Sequence, residues 1–81
     1  MIQNPYSWNK KANVLYIDNP AGVGYSLAKT DLDKSHNDYN TSTDLIVAME
    51  SFYLKFPTLR ANELYLTGIS YAGIYVPYLA W

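Results

Sequence analysis

Cysteine is absent from the 81 residues, so neither a disulfide framework nor a thiolate metal site is available, and the redox compartment cannot be read from it. An excess of one charge is also missing. Six Lys and Arg stand against seven Asp and Glu, with no basic run, which argues against nucleic acid or an anionic membrane as a partner. The apolar stretches are only a handful of residues long, too short to span a bilayer. Met1 to Tyr6 is too polar for a secretory leader, so a secreted protein containing this segment would carry its signal upstream. Histidine is represented by His36 alone. We expect no metal and no cofactor.

What the chain does have is apolar residues, 49% of the total, which excludes a disordered tail or a polar linker. Nine tyrosines are many for this length. Each pairs an apolar ring with a polar tip and suits the wet rim of a pocket as well as a core edge. Without disulfides or metal, burial set against roughly 1.5 kcal/mol of ordering entropy per residue comes out near zero. The chain is expected to be one small unit and a piece of something larger.

Asn4-Pro5-Tyr6-Ser7-Trp8 opens with turn chemistry. Val14-Leu15-Tyr16-Ile17, bounded by Asn13 and Asp18-Asn19-Pro20, is apolar on both faces and predicts a buried strand of a parallel sheet. Asn19 to Asn40 reads as a loop, polar from Lys29 onward. Leu45, Ala48, Met49, Phe52 and Phe56 then form one stripe at the helical period, with Thr41 and Asp44 as a capping box and Pro57 as the stop. Glu63 to Thr67 predicts a second strand, and a further helix is expected from about Tyr71 toward Trp81. The order strand, helix, strand, tight turn, helix implies an α/β unit with a parallel sheet.

The chemistry is concentrated in Gly68-Ile69-Ser70-Tyr71-Ala72-Gly73, between the second strand and the last helix. A nucleophile elbow needs small residues around its serine, because the backbone turns sharply and lifts the hydroxyl above the strand ends. Gly68 supplies one. Ala72 stands where the strict G-x-S-x-G pattern has glycine, with Gly73 one position later. The helix after Ser70 would aim its N-terminal amides and positive dipole end at a developing oxyanion, the Tyr71 N–H foremost. The bare string also recurs by chance in unrelated proteins.

Several stretches together resemble consecutive landmarks of the serine carboxypeptidase family. They are Asn4 to Trp8, Asn13 to Asp18, Pro20-Ala21-Gly22-Val23-Gly24-Tyr25-Ser26, Phe56-Pro57 and Leu64 to Pro77, in order and correctly spaced from about Asn4 to Ala80. The family pattern has Ala where Ala72 stands. The resemblance implies a partial α/β-hydrolase fold, with residues 1–81 a fragment of a single domain. It implies release of C-terminal residues from peptides or proteins through an acyl-enzyme on Ser70, with Tyr71 N–H in the oxyanion hole. It also implies that the second oxyanion donor lies in a Gly-rich loop upstream, and that the triad Asp and His lie far downstream. The chain alone is therefore expected to be inactive, with the rest of the parent domain as its partner. A location in the secretory pathway, the lysosome or vacuole, or outside the cell follows by family.

His36 contradicts the family's order of catalytic residues and reads as a solvated loop residue. Asp18 reads as the cap of the turn at Asn19-Pro20. Ile69 departs from the family pattern, which has Glu there to help hold the substrate's C-terminal carboxylate; isoleucine has no donor. That leaves open an esterase or acyltransferase on the same scaffold, or a non-catalytic relic. Asn40-Thr41-Ser42 matches an N-glycosylation acceptor.

Overall fold

The longest element of the computed structural model, which describes residues 1–34 and 36–81, is the helix α1, Asp38–Lys55. Asn37 sets its start. The residue is extended, and its side-chain oxygen accepts the Asn40 N–H at 2.7 Å. This satisfies one of the first-turn amides that have no carbonyl partner within the helix. Asp38 follows, placing negative charge at the positive end of the helix dipole. The predicted capping box is thereby corrected: Thr41 and Asp44 lie inside α1, and the Thr41 amide bonds the Asn37 carbonyl. The predicted loop is shortened as well, since residues 38–40 belong to α1 and Leu32–Lys34 form a 3-10 turn.

At the other end, the Phe56 N–H bonds the Phe52 carbonyl, and Pro57 opens a 3-10 stretch, Pro57–Ala61, at the predicted break. A second helix, α2, spans Ala72–Ala80. α1 packs on both α2 and the 3-10 stretch. Along the predicted stripe, Leu45 is buried and Met49 and Phe52 are half-buried, whereas Ala48 and Phe56 remain exposed. Arg60 ties the 3-10 stretch to α1. Its guanidinium donates to Glu50 at 2.6 Å and lies over the Tyr53 ring, 5.1 Å from the centroid.

Neither predicted strand forms. Among the described residues there is no β-ladder, and Val14 to Ile17 and Glu63 to Thr67 run without helical structure and without backbone hydrogen bonds to one another. The expectation that the first of them is buried is also overturned, since Val14, Leu15, Tyr16 and Ile17 are all exposed. The physical reason is that a strand bonds only to a neighbouring strand, whereas a helix closes its hydrogen bonds within itself. Between these two segments and the helices lies an open trough of about 880 Å³, lined by Val14, Ile17, Leu45, Phe52, Leu64 and Val76 among others. No helix among the described residues is long and apolar enough to cross a membrane.

Candidate active site

The chain from Gly68 into α2 forms a tight corner. Gly68 brings the backbone against the first two turns of α2: a Cβ there would sit 2.5 Å from Ala72 Cβ and 3.0 Å from Val76 Cγ2. Beyond it, the Ala72 N–H bonds the Ile69 carbonyl at 3.3 Å and the Gly73 N–H bonds the Ser70 carbonyl at 2.9 Å. Ser70 is at φ 63°, the single non-glycine residue with positive φ among those described. A left-handed backbone costs a side-chain-bearing residue about 1–2 kcal/mol. Such conformations persist where the surroundings impose them, and they cluster at functional sites.

Ile69, Ser70 and Tyr71 are exposed on the outside of this corner. Tyr71, helical at φ −61° and ψ −21°, is the residue from which α2 begins. Its hydroxyl donates to Asp38 Oδ1 at 2.9 Å, a contact spanning 33 positions in sequence, and its ring meets the Tyr75 ring edge-on at 5.0 Å. The hydrogen bond to Asp38, followed by the charge of that carboxylate, holds the Tyr71 phenol above its ordinary pKa. Asp38 was not singled out from the sequence. No local pattern marks a carboxylate in one helix as the acceptor for a tyrosine at the start of another.

Of the other candidates, Asn40 is exposed in the first turn of α1. His36 is exposed and its Nε2 donates to the Ala21 carbonyl at 2.9 Å. Asp18 closes the loop behind it: its carboxylate accepts the Tyr25 N–H at 2.9 Å, and its carbonyl accepts the Ser26 hydroxyl. The Asp18 carboxylate fills the space a Cβ on Gly24 would need, and Gly24 itself is left-handed at φ 54°. Among the described residues, Ser70 Oγ has no hydrogen-bond partner, and no group of His, Cys, Asp and Glu could hold a metal ion.

The profile described as "Serine carboxypeptidase" matches residues 1–81, the whole chain. The chain belongs to the serine carboxypeptidase family. Among similar proteins, the chain is 49% identical over 79 residues to the "Lysosomal protective protein" of Mus musculus, covering 95% of this chain and 16% of that protein. To "Serine carboxypeptidase-like 44" of Arabidopsis thaliana it is 47% identical over 78 residues, 96% of this chain and 16% of that one. To "Serine carboxypeptidase-like 40" of the same plant it is 45% identical over 82 residues, with 99% and 16% covered. The chain thus spans about a sixth of the length of these curated relatives. No solved structure matches it. The family is one of α/β-hydrolases and of hydrolytic, proteolytic enzymes.

Proposed function

We propose that this segment is the nucleophile-bearing part of a serine carboxypeptidase, with Ser70 as the nucleophile. The observation that carries the reading is the left-handed backbone of Ser70, at the entry to α2, within Gly68-Ile69-Ser70-Tyr71-Ala72-Gly73. Ser70 Oγ attacks the carbonyl carbon of a peptide's C-terminal bond. The Tyr71 N–H stabilises the resulting oxyanion, aided by the positive dipole end of α2. The C-terminal residue leaves as an amine, and water then releases the shortened peptide from the acyl-enzyme. A histidine base, its orienting aspartate and the second oxyanion donor come from the remainder of a family-length protein. There, Val14 to Ile17 and Glu63 to Thr67 become strands of one parallel sheet, with a strand from the remainder of that protein between them.

The test is labelling with a fluorophosphonate, which reports an activated serine. A family-length protein carrying these residues labels at Ser70, and Ser70→Ala abolishes both labelling and peptide turnover. The 81 residues alone do not label, because no base is present. Labelling of the 81-residue chain that Ser70→Ala removes would overturn the placement of the partners outside it.

One observation favours a second reading, an esterase or acyltransferase on the same scaffold. Ile69 is exposed beside Ser70 and has no donor for a free C-terminal carboxylate. A hydrogen bond to a charged group contributes about 1.5–3 kcal/mol. At about 1.4 kcal/mol per tenfold, its absence lowers discrimination between free acids and their amides or esters by roughly 10- to 150-fold. In the family-length protein, Ile69→Glu raises the kcat/KM ratio for a free dipeptide over its amide, and does so at acid pH. The new carboxyl donates only while protonated, below an ordinary value of about 4.3. Above that it faces the substrate with a second negative charge and the gain disappears. A parent that already prefers free acids, unchanged by the substitution, would show that another residue holds the carboxylate.

A secretory, lysosomal or vacuolar location is in keeping with the relative named a lysosomal protective protein. Glycosylation at Asn40 would have to precede folding of α1, because Thr41 and Ser42 of the acceptor sequence are buried within that helix.

A further inference from the structure

We propose that Asp38 is a positioning residue for the oxyanion donor: by accepting the Tyr71 hydroxyl from the first turn of α1, it fixes the peptide between Ser70 and Tyr71. The inference rests on the reading of Ser70 as nucleophile and of the Tyr71 amide as donor, and adds to it a residue outside the elbow. Tyr71 does two jobs at once. Its backbone amide follows directly on the strained Ser70, while its side chain reaches away from the corner to Asp38 Oδ1, 2.9 Å from the hydroxyl.

A left-handed serine is held only as firmly as the residues on either side of it. On the Gly68 side, the backbone is pressed against Ala72 and Val76. On the Tyr71 side, α2 contributes the Tyr75 ring, but that ring belongs to the same helix and moves with it. Asp38 is the hydrogen-bond partner that ties Tyr71 to a different element. Asp38 is half-buried, and its own backbone is fixed by α1, where its carbonyl accepts the Ser42 hydroxyl at 2.8 Å. The anchor is thus a carboxylate on a capped, 18-residue helix, and the object anchored is the N-cap residue of the elbow helix. Donors act on a transition state only when they are already aimed at the place where charge develops. Displacement of a catalytic group by about 1 Å lowers rate by about a hundredfold.

The raised titration of the Tyr71 phenol accords with this contact, since loss of its proton would both break the hydrogen bond and set two anions side by side. Asp38 makes no hydrogen bond to Ser70 and need touch no substrate, so its effect falls on the chemical step. A residue that served only the junction of α1 and α2 would alter stability and leave the split between kcat and KM unmoved.

The experiment uses a family-length protein carrying this segment, with steady-state kinetics and thermal melting of Asp38→Ala, Asp38→Asn, Tyr71→Phe and the double variant Asp38→Ala/Tyr71→Phe. Asp38→Ala lowers kcat about 10- to 100-fold with KM within about twofold, the penalty of a misdirected donor. Asp38→Asn recovers much of the loss, because its side-chain carbonyl accepts the same hydroxyl. Tyr71→Phe matches Asp38→Ala, and the double variant is no slower than either single one, as expected when both remove one interaction. Wild-type kcat in Asp38→Ala, or losses that multiply in the double variant, would overturn the inference while leaving Ser70 as nucleophile. A wild-type protein that neither turns over peptide nor labels at Ser70 would overturn the functional reading and this inference with it. Should Asp38→Ala fail to fold, Asp38→Asn and Tyr71→Phe decide the matter by the same kcat comparison.

Discussion

Gly68 shows how much a single missing methyl group contributes to the corner at Ser70. The backbone of residue 68 lies so close to α2 that an alanine there would place its Cβ 2.5 Å from that of Ala72 and 3.0 Å from Val76 Cγ2. The first contact is between short side chains on well-fixed backbone, so neither can swing away. Overpacking of this kind costs about 1–3 kcal/mol, and relief would come from pushing the corner, and Ser70 with it, away from α2. In a family-length protein, Gly68→Ala therefore lowers the urea midpoint and slows fluorophosphonate labelling. Adding Ala72→Gly removes the worse of the two contacts and restores part of both. Rescue of stability without any rescue of labelling would mean that Gly68 matters to packing alone. The tight corner was legible in the sequence because its requirement is local: small residues at 68, 72 and 73 around a serine. The Tyr71–Asp38 contact was not, since it joins residues 33 positions apart that carry no shared pattern.

Helix α1 is held at its start by one side chain. Asn37 accepts the Asn40 N–H, and its replacement by alanine leaves that amide without a protein partner. The cost of such a loss is about 1 kcal/mol. Circular dichroism at 222 nm should show Asn37→Ala with less helix and a lower melting midpoint than the parent, while Asn37→Asp stays close to it; equal loss in both variants would locate the effect elsewhere than in the cap. The two helices were legible in the sequence because the stripe of Leu45, Met49 and Phe52 and the stop at Pro57 act within the segment itself. Their boundaries were less so: Thr41-x-x-Asp44 offered a capping pattern, but Asn37 sits one turn earlier and took the role. The two strands were legible as extended, apolar stretches, yet Val14 to Ile17 and Glu63 to Thr67 form no ladder. Sequence reports their preference for extended backbone; partners supply the hydrogen bonds, and none of the described residues does so.

Taken whole, the chain exposes 7343 Å², against about 4,900 Å² for a compact monomer of its mass. Its radius of gyration is 14.4 Å, where a packed domain of this length has about 11.7 Å. Leu45 is its one buried apolar side chain among the described residues, and the trough of about 880 Å³ beside it stands open. Large apolar groups that a finished core would cover, Leu64, Tyr65 and Leu15 among them, face outward. A chain of this size that buries so little has little apolar gain to set against the entropy of ordering its backbone. Helices α1 and α2 nevertheless retain local reasons to form: a cap, a dipole-compatible Asp38 and an apolar stripe between them. The 81 residues on their own should therefore behave as a molten state. Far-ultraviolet circular dichroism would report helix, near-ultraviolet signals from the tyrosines would be weak, and 8-anilinonaphthalene-1-sulfonate would bind the exposed apolar surface. Heating should give a broad, sloping loss of ellipticity instead of a cooperative step. In the same experiment Leu45→Ala, which in a finished core would cost about 2–5 kcal/mol, should change the profile little, because the site has no enclosed cavity to leave behind. A sharp melt of monomeric 81-residue protein, shifted downward by Leu45→Ala, would show that these residues build a core of their own.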